Sequence, residues 1–221
     1  MLKHAAVPLF VVPLILVSLT SVALSQAADD PTHTYSQTAT QTWDFAQGGK
    51  VELHLRAGDL RILPASDSRI SIQYTMQSNH PDFIGKVKPE FDVKGSNATL
   101  RLEAPDNGNI DVELKVPEQT DLYVRVAAGD IIIGQIAGNQ NVESHAGDIL
   151  IRVPQQLNYG SVDASTHAGE ISAPFGRGKG WIGNSIKYQG QGQYRVHVHT
   201  FAGDISFQEP ESAQLRVPQA K

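Results

Sequence analysis

The sequence predicts an all-β fold, a β-solenoid or short parallel β-helix-like stack of two-strand repeats, on three observations. Apolar residues alternate with period two along most of the chain, an Ala-Gly-Asp unit recurs between such runs, and no segment carries the 3.6-residue periodicity of an amphipathic helix. The alternation runs through Val51, Leu53 and Leu55, then Ile70, Ile72 and Tyr74, then Leu100 and Leu102, then Val112, Leu114 and Val116. Each such strand sends its apolar side chains to one face.

The repeat emerges when glycine is taken as the anchor: LHLRAGDLRI at Gly58, VRVAAGDIII at Gly129, VESHAGDILI at Gly147, ASTHAGEISA at Gly169 and VHTFAGDISF at Gly203. Gly129 and Gly147 are 18 residues apart and Gly147 and Gly169 are 22 apart, so each unit has room for two short strands and two turns. Glycine opens a backbone conformation closed to other residues, alanine keeps the corner small, and the following carboxylate can accept hydrogen bonds from turn amides. Alternation then points Leu122, Val124, Val126, Ile131 and Ile133 to one face, with Val142, Ser144, Ile149, Ile151 and Val153 on the same face of the next unit. No single unit can bury that face, and stacking neighbours about 4.8 Å apart would do so.

Ahead of the repeats, Lys3 precedes an apolar stretch from Ala5 to Leu24 that ends in SVALSQAADD. That pattern predicts a cleaved secretory signal over residues 1–27, and membrane attachment only if the segment stays uncleaved. Residues 28–42 are polar and threonine-rich and are expected to form a flexible lead-in, followed by a single β-repeat domain over 43–207 and a tail over 208–221. The stretch from Trp43 to Val116 is expected to be more irregular than the rest. The 221-residue chain has no cysteine, so an exported form would rest on burial and hydrogen bonding alone. A formal net charge of -5 argues against a basic surface for nucleic acid or anionic lipid.

The stretch VELKVPEQTDLYVRVAAGDIIIGQIAGNQNVESHAGDIL, with V-x-L-x-V-P leading into an alternating strand and paired G-D-I units, resembles the bacterial β-strand-repeat family of unknown function whose members carry an adhesin label. The likeness extends from about Trp43 to Phe207. It implies a short β-helix-like shape and brings no catalytic residues with it.

Several side chains are candidates for chemistry. Units stacked in chain order would place Asp130, Asp148 and Glu170 in a carboxylate column, with Asp59 and Asp204 in corresponding places elsewhere. Like charges at that spacing repel by about 1 kcal/mol in a water-like dielectric, so turn amides, solvent or calcium must relieve them. Turn capping is the stronger reading, because the dense acidic loops of calcium motifs are missing. His145 and His167 each precede an Ala-Gly pair, and His197 and His199 face outward from one strand; each pair offers zinc two imidazoles but no third ligand. Tyr123 and Arg125 share the outward face with Asn141 and Glu143 and with Asp163 and Ser165, and Arg125 beside Glu143 would form a cross-strand ion pair. In GRGKGWIGNSIKYQGQGQ the glycines Gly178, Gly180 and Gly183 spell G-x-G-x-x-G without the strand and helix a nucleotide loop needs; Trp181, Ile182, Ile186 and Tyr188 suit a hairpin or capping excursion that interrupts the stack, with Trp181 and Tyr188 stacking on sugar rings as the alternative.

The functional expectation is an exported, non-catalytic scaffold that displays an outer β face and loops to an envelope protein or glycan, in the periplasm, on the cell surface or secreted. No cofactor is expected. Two alternatives remain: a carbohydrate-active β-helix enzyme, which would gather two or three of Asp130, Asp148, Asp163 and Glu170 in one groove, and a purely structural or regulatory envelope component.

Overall fold

Every segment with period-two alternation forms a strand. The computed structural model describes residues 34–80, 82, 84, 89–103, 109–153, 159–177 and 183–209. Its strands are β1 (Tyr35–Asp44), β2 (Gly49–Ala57), β3 (Asp59–Ala65), β4 (Arg69–Ser78), β5 (Glu90–Lys94), β6 (Asn97–Leu102), β7 (Asn109–Pro117), β8 (Thr120–Ala128) and β9 (Ile131–Ile133). They continue with β10 (Gln140–Ala146), β11 (Ile149–Arg152), β12 (Tyr159–Ala168), β13 (Ile171–Ala173), β14 (Gly176–Arg177), β15 (Asn184–Gln189), β16 (Tyr194–Ala202) and β17 (Ile205–Gln208). There is no α-helix among the described residues.

The strands form two open sheets, ordered β1-β4-β7-β3-β9-β11-β17-β13-β14 and β15-β12-β16-β10-β8-β2-β6-β5. At the centre of each, successive strands pair in parallel, as in the registers Leu53↔Val124, Val142↔Val124 and Val142↔Val198. The outermost strands β1, β4, β5, β14 and β15 run antiparallel to their neighbours. The all-β class therefore stands, while the sheets are mixed and unclosed rather than the wall of a closed helix.

Between the sheets lies one apolar core. Leu60, Ile131, Ile149, Ile205 and Ile171 occupy successive strands of the first sheet, and Leu53, Val124, Val142, Val198 and Ala164 those of the second, all buried. Each fully buried aliphatic side chain contributes roughly 1.5–3 kcal/mol relative to an exposed one. A one-residue slip would turn every one of them outward, so the pattern fixes the register.

Aromatic rings close both ends of this core. Phe91 meets Trp43 at 5.4 Å and Tyr74 at 6.5 Å between centroids, while Phe175 stacks on Tyr188 at 4.7 Å and packs near Phe207 at 5.6 Å. Tyr188, read as part of a capping excursion with sugar stacking as the alternative, is half-buried in that second plug. Trp181, Gly178 and Gly180 lie outside the described residues, as do the signal segment and residues 210–221.

The structure corrects three further expectations. Residues 35–42, expected to be flexible, belong to β1, which pairs with β4 from Tyr35↔Ser78 to Asp44↔Arg69. Its alternating half-buried Gln37, Ala39, Gln41 and Trp43 carry too little apolar character to signal a strand, but threonine and tyrosine suit a half-covered edge. Between Trp43 and Val116, expected to be more irregular, the described strands pair in unbroken register, β2 and β3 in parallel with β6 and β7. Finally, the units do not stack in chain order. β16 and β17 insert between β10/β11 and β12/β13. β13 has only three residues and pairs outward with the two-residue β14, which suits an end, whereas Val196, Val198, Thr200, Ile205 and Phe207 are all buried and suit an interior place.

Candidate functional site

Each Ala-Gly-Asp corner turns the chain from one sheet into the other, and the corners touch directly. The N–H of Gly129 donates to Ala146 O at 2.9 Å, that of Gly147 to Ala202 O at 2.9 Å, and that of Gly203 to Ala168 O at 2.9 Å. At Gly147 φ is +132°, and a Cβ added there would overlap the carbonyl oxygen of Gly129. Gly203 is placed in the same way against Gly147. Gly58 and Gly169 turn the corners at the remaining repeats.

The carboxylates of these corners form one continuous ladder. Asp59 Oδ1 accepts the N–H of Asp130 at 3.0 Å, Asp130 Oδ1 that of Asp148 at 2.9 Å, Asp148 Oδ1 that of Asp204 at 2.8 Å, and Asp204 Oδ1 that of Glu170 at 2.8 Å. The column thus runs Asp59, Asp130, Asp148, Asp204, Glu170, and Glu170 does not adjoin Asp148 as the chain order predicted. Each aspartate in it meets a backbone donor, and charge-assisted bonds of this kind offset the repulsion between neighbours. Beside it, a shallow concavity of about 460 Å³ is lined in part by Asp59, Arg61, Asp111, Glu113 and Asp130.

On the outward face of the second sheet, strand register sets side chains in rows. One row holds Glu52, Tyr123, Asn141, His197 and Asp163, and the next His54, Arg125, Glu143, His199 and Ser165. Arg125 reaches Glu143 Oε2 through Nε at 3.1 Å and through Nη2 at 2.8 Å, and Nη2 also donates to Tyr123 Oη at 2.9 Å. The hydrogen bond to Glu143 is the main reason the guanidinium holds its proton even more firmly than usual. Glu52 Oε1 lies 2.8 Å from His54 Nε2, and that hydrogen bond lowers the Glu52 pKa. His199 Nδ1 and Ser165 Oγ are 3.0 Å apart.

Asp163 and Ser165 therefore do not adjoin Asn141 and Glu143, because β16 brings His197 and His199 between them. His145 and His167 are likewise separated by a ring the sequence reading passed over. Phe201 lies between them, with centroids at 5.1 and 4.9 Å and interplanar angles of 9° and 12°. It is 46% exposed. The signal was present: Phe201, like both histidines, stands two residues before a corner glycine. Among the described residues no three His, Cys, Asp or Glu side chains form a set able to hold a metal ion.

A sealed apolar interior with polar and aromatic rows outside defines an all-β strand-repeat protein. Residues 106–208 match the family model Toastrack DUF4097, over β7 to β17 and four of the five corners, so the resemblance read from the repeats is borne out. The solved structure of a "putative cell adhesion protein" from Clostridium sporogenes aligns with 80% of this chain and 100% of its own, at 13% identity and a TM-score of 0.54, a likeness of fold. A "putative adhesin" from Bacteroides fragilis aligns with 77% of this chain and 97% of its own at 12% identity, with a TM-score of 0.26 that carries no argument. No curated protein matches the chain.

Proposed function

We propose that this is an exported, non-catalytic binding protein, built on a solenoid-like stack, that presents the outward face of its second sheet to a protein or glycan of the cell envelope. The observation that carries the reading is the pair of in-register rows on that face, where Tyr123, Arg125 and Glu143 are tied together while His197 and His199 stand exposed beside them. Such a surface offers an aromatic ring, charge of both signs and imidazole in fixed array on a rigid support, which suits recognition. The N-terminal apolar stretch supports export, and the name of the Clostridium sporogenes protein supports an adhesive role. Against the enzymatic alternative, Asp130 and Asp148 each accept a backbone amide at the corner, and Asp163 stands on the sheet face near Lys187.

The test is capture from envelope fractions by immobilised mature protein, beside a triple variant Tyr123→Ala, Arg125→Ala, His197→Ala. Capture of a defined protein or glycan by the native face, lost in a variant that melts within a few degrees of the parent, is the expected result. Equal capture by both, or none by either, overturns the reading.

A further inference from the structure

The corner edge of the second sheet carries a third column of side chains, one per strand, at the position two residues before each glycine. Register places them in the order Arg56, Ala127, His145, Phe201, His167: Leu55↔Val126 and Ala57↔Ala128 bracket the first pair, Val126↔Ser144 and Ala128↔Ala146 the second, Ser144↔Thr200 and Ala146↔Ala202 the third, and Thr166↔Thr200 and Ala168↔Ala202 the last. Three members form a face-to-face stack, at 5.1 Å for His145 on Phe201 and 4.9 Å for His167 on Phe201, close to the spacing of about 4.8 Å between strands. All five positions are exposed.

At Ala127 the column is interrupted. His145 gives one ring face to Phe201, and on its other side the next strand supplies only a methyl group, with Arg56 at the position beyond. The span from the His145 position to the Arg56 position is two strand spacings, or about 9.6 Å. That admits one flat ring in continuation of the stack, with imidazole on one side, an arginine position on the other and the Ala127 methyl as floor. The geometry points to a binding notch at Ala127 for a planar aromatic ring, which stacks on His145 as the fourth ring of the column. A flat ring continues the stack on His145 better than a puckered pyranose can. The ring can come from an aromatic side chain of a protein partner or from a free aromatic compound.

The notch deepens the proposed binding role by naming a chemistry at one edge of the same face, but its test does not depend on that role. Titration of isotope-labelled mature protein with N-acetyl-tryptophan amide, indole and methyl glucoside, followed by NMR, reads the Ala127 methyl and the His145 ring protons directly. Upfield ring-current shifts of these signals by both aromatic probes, saturating in the millimolar range or tighter, are expected. The two sources are told apart by strength: at least tenfold tighter binding of the amino-acid amide than of indole assigns the ring to a protein partner, and comparable or tighter indole binding assigns it to a free compound.

Ala127→Phe fills the slot from within and should abolish the shifts while the protein stays folded, and His145→Ala should weaken binding at least fivefold. If neither aromatic probe moves the Ala127 methyl, or methyl glucoside moves it more, or Ala127→Phe still binds, the notch is overturned. Shifts from the probes together with failed envelope capture would leave the notch standing and remove the broader role. Capture without shifts would do the reverse.

Discussion

Asp148 Oδ1 accepts the backbone N–H of Asp204 at 2.8 Å across 56 residues of sequence. The same contact recurs from Asp59 to Asp130, from Asp130 to Asp148 and from Asp204 to Glu170, so each corner is tied to the next by a side chain as well as by its backbone. The corner aspartate thus has a structural purpose independent of any ligand.

Asp148→Ala leaves the Asp204 amide without that acceptor and should cost about 1–2 kcal/mol in urea unfolding. Asp148→Asn keeps an acceptor oxygen and should recover most of that loss. Equal losses in the two variants would show that the charge matters more than the hydrogen bond.

Gly147→Ala should destabilise by more than about 3 kcal/mol, since the positive φ alone costs about 1–3 kcal/mol and the added methyl overlaps the Gly129 carbonyl. Gly48→Ala is the control, with φ of +73° and nothing within 4 Å of the added methyl. Its cost should stay near 1 kcal/mol. Chemical denaturation of both variants decides the comparison.

Tyr159 is 1% exposed, and its hydroxyl has no hydrogen-bond partner among the described residues. Burial pushes its phenol pKa well up. Tyr159→Phe removes a desolvated polar group at little cost in volume, so it should be neutral or stabilising by up to about 1 kcal/mol. A thermal midpoint several degrees lower would reveal a partner for the hydroxyl.

Arg125 and Glu143 are paired on an exposed surface, where water and salt screen such bonds. A double-mutant cycle with Arg125→Ala and Glu143→Ala should return a small favourable coupling that shrinks at high salt. A coupling that salt does not change would place the pair in a far drier setting.

Glu52 has its pKa lowered from 4.5, first by the hydrogen bond to His54. A lowered folded-state pKa adds stability that is fully present above 4.5 and lost as pH falls through the folded value. Glu52→Gln should therefore flatten the acid limb of stability against pH relative to the parent, measured by denaturant midpoint. An unchanged acid limb would mean the bond does not persist in solution.

The sequence disclosed what is local. Alternation placed the strands, the corner glycine marked each turn, and Arg125 beside Glu143 followed from the spacing of neighbouring repeats. Partner choice between distant segments was not legible, because Val142 can pair equally well with any strand of matching alternation. The actual neighbour, Val198, is selected by packing that involves the whole core. For the same reason His145 and His167 read as a pair, while Phe201, the ring that joins them, read as an ordinary residue of its own repeat. β1 escaped notice because its inward positions are polar or small, and only the presence of β4 beside it makes them a strand.

The interpolation of β16 and β17 has a consequence for how the molecule is completed. Residues 194–208 carry the last of the described strands along the chain, yet they occupy the interior of both sheets. Until they are made, β10 and β12 have no common neighbour and the isoleucine column is broken between Ile149 and Ile171. A chain cut at residue 193 would lose its keystone rather than its final course, so growth from one end to the other cannot be the route by which this architecture closes.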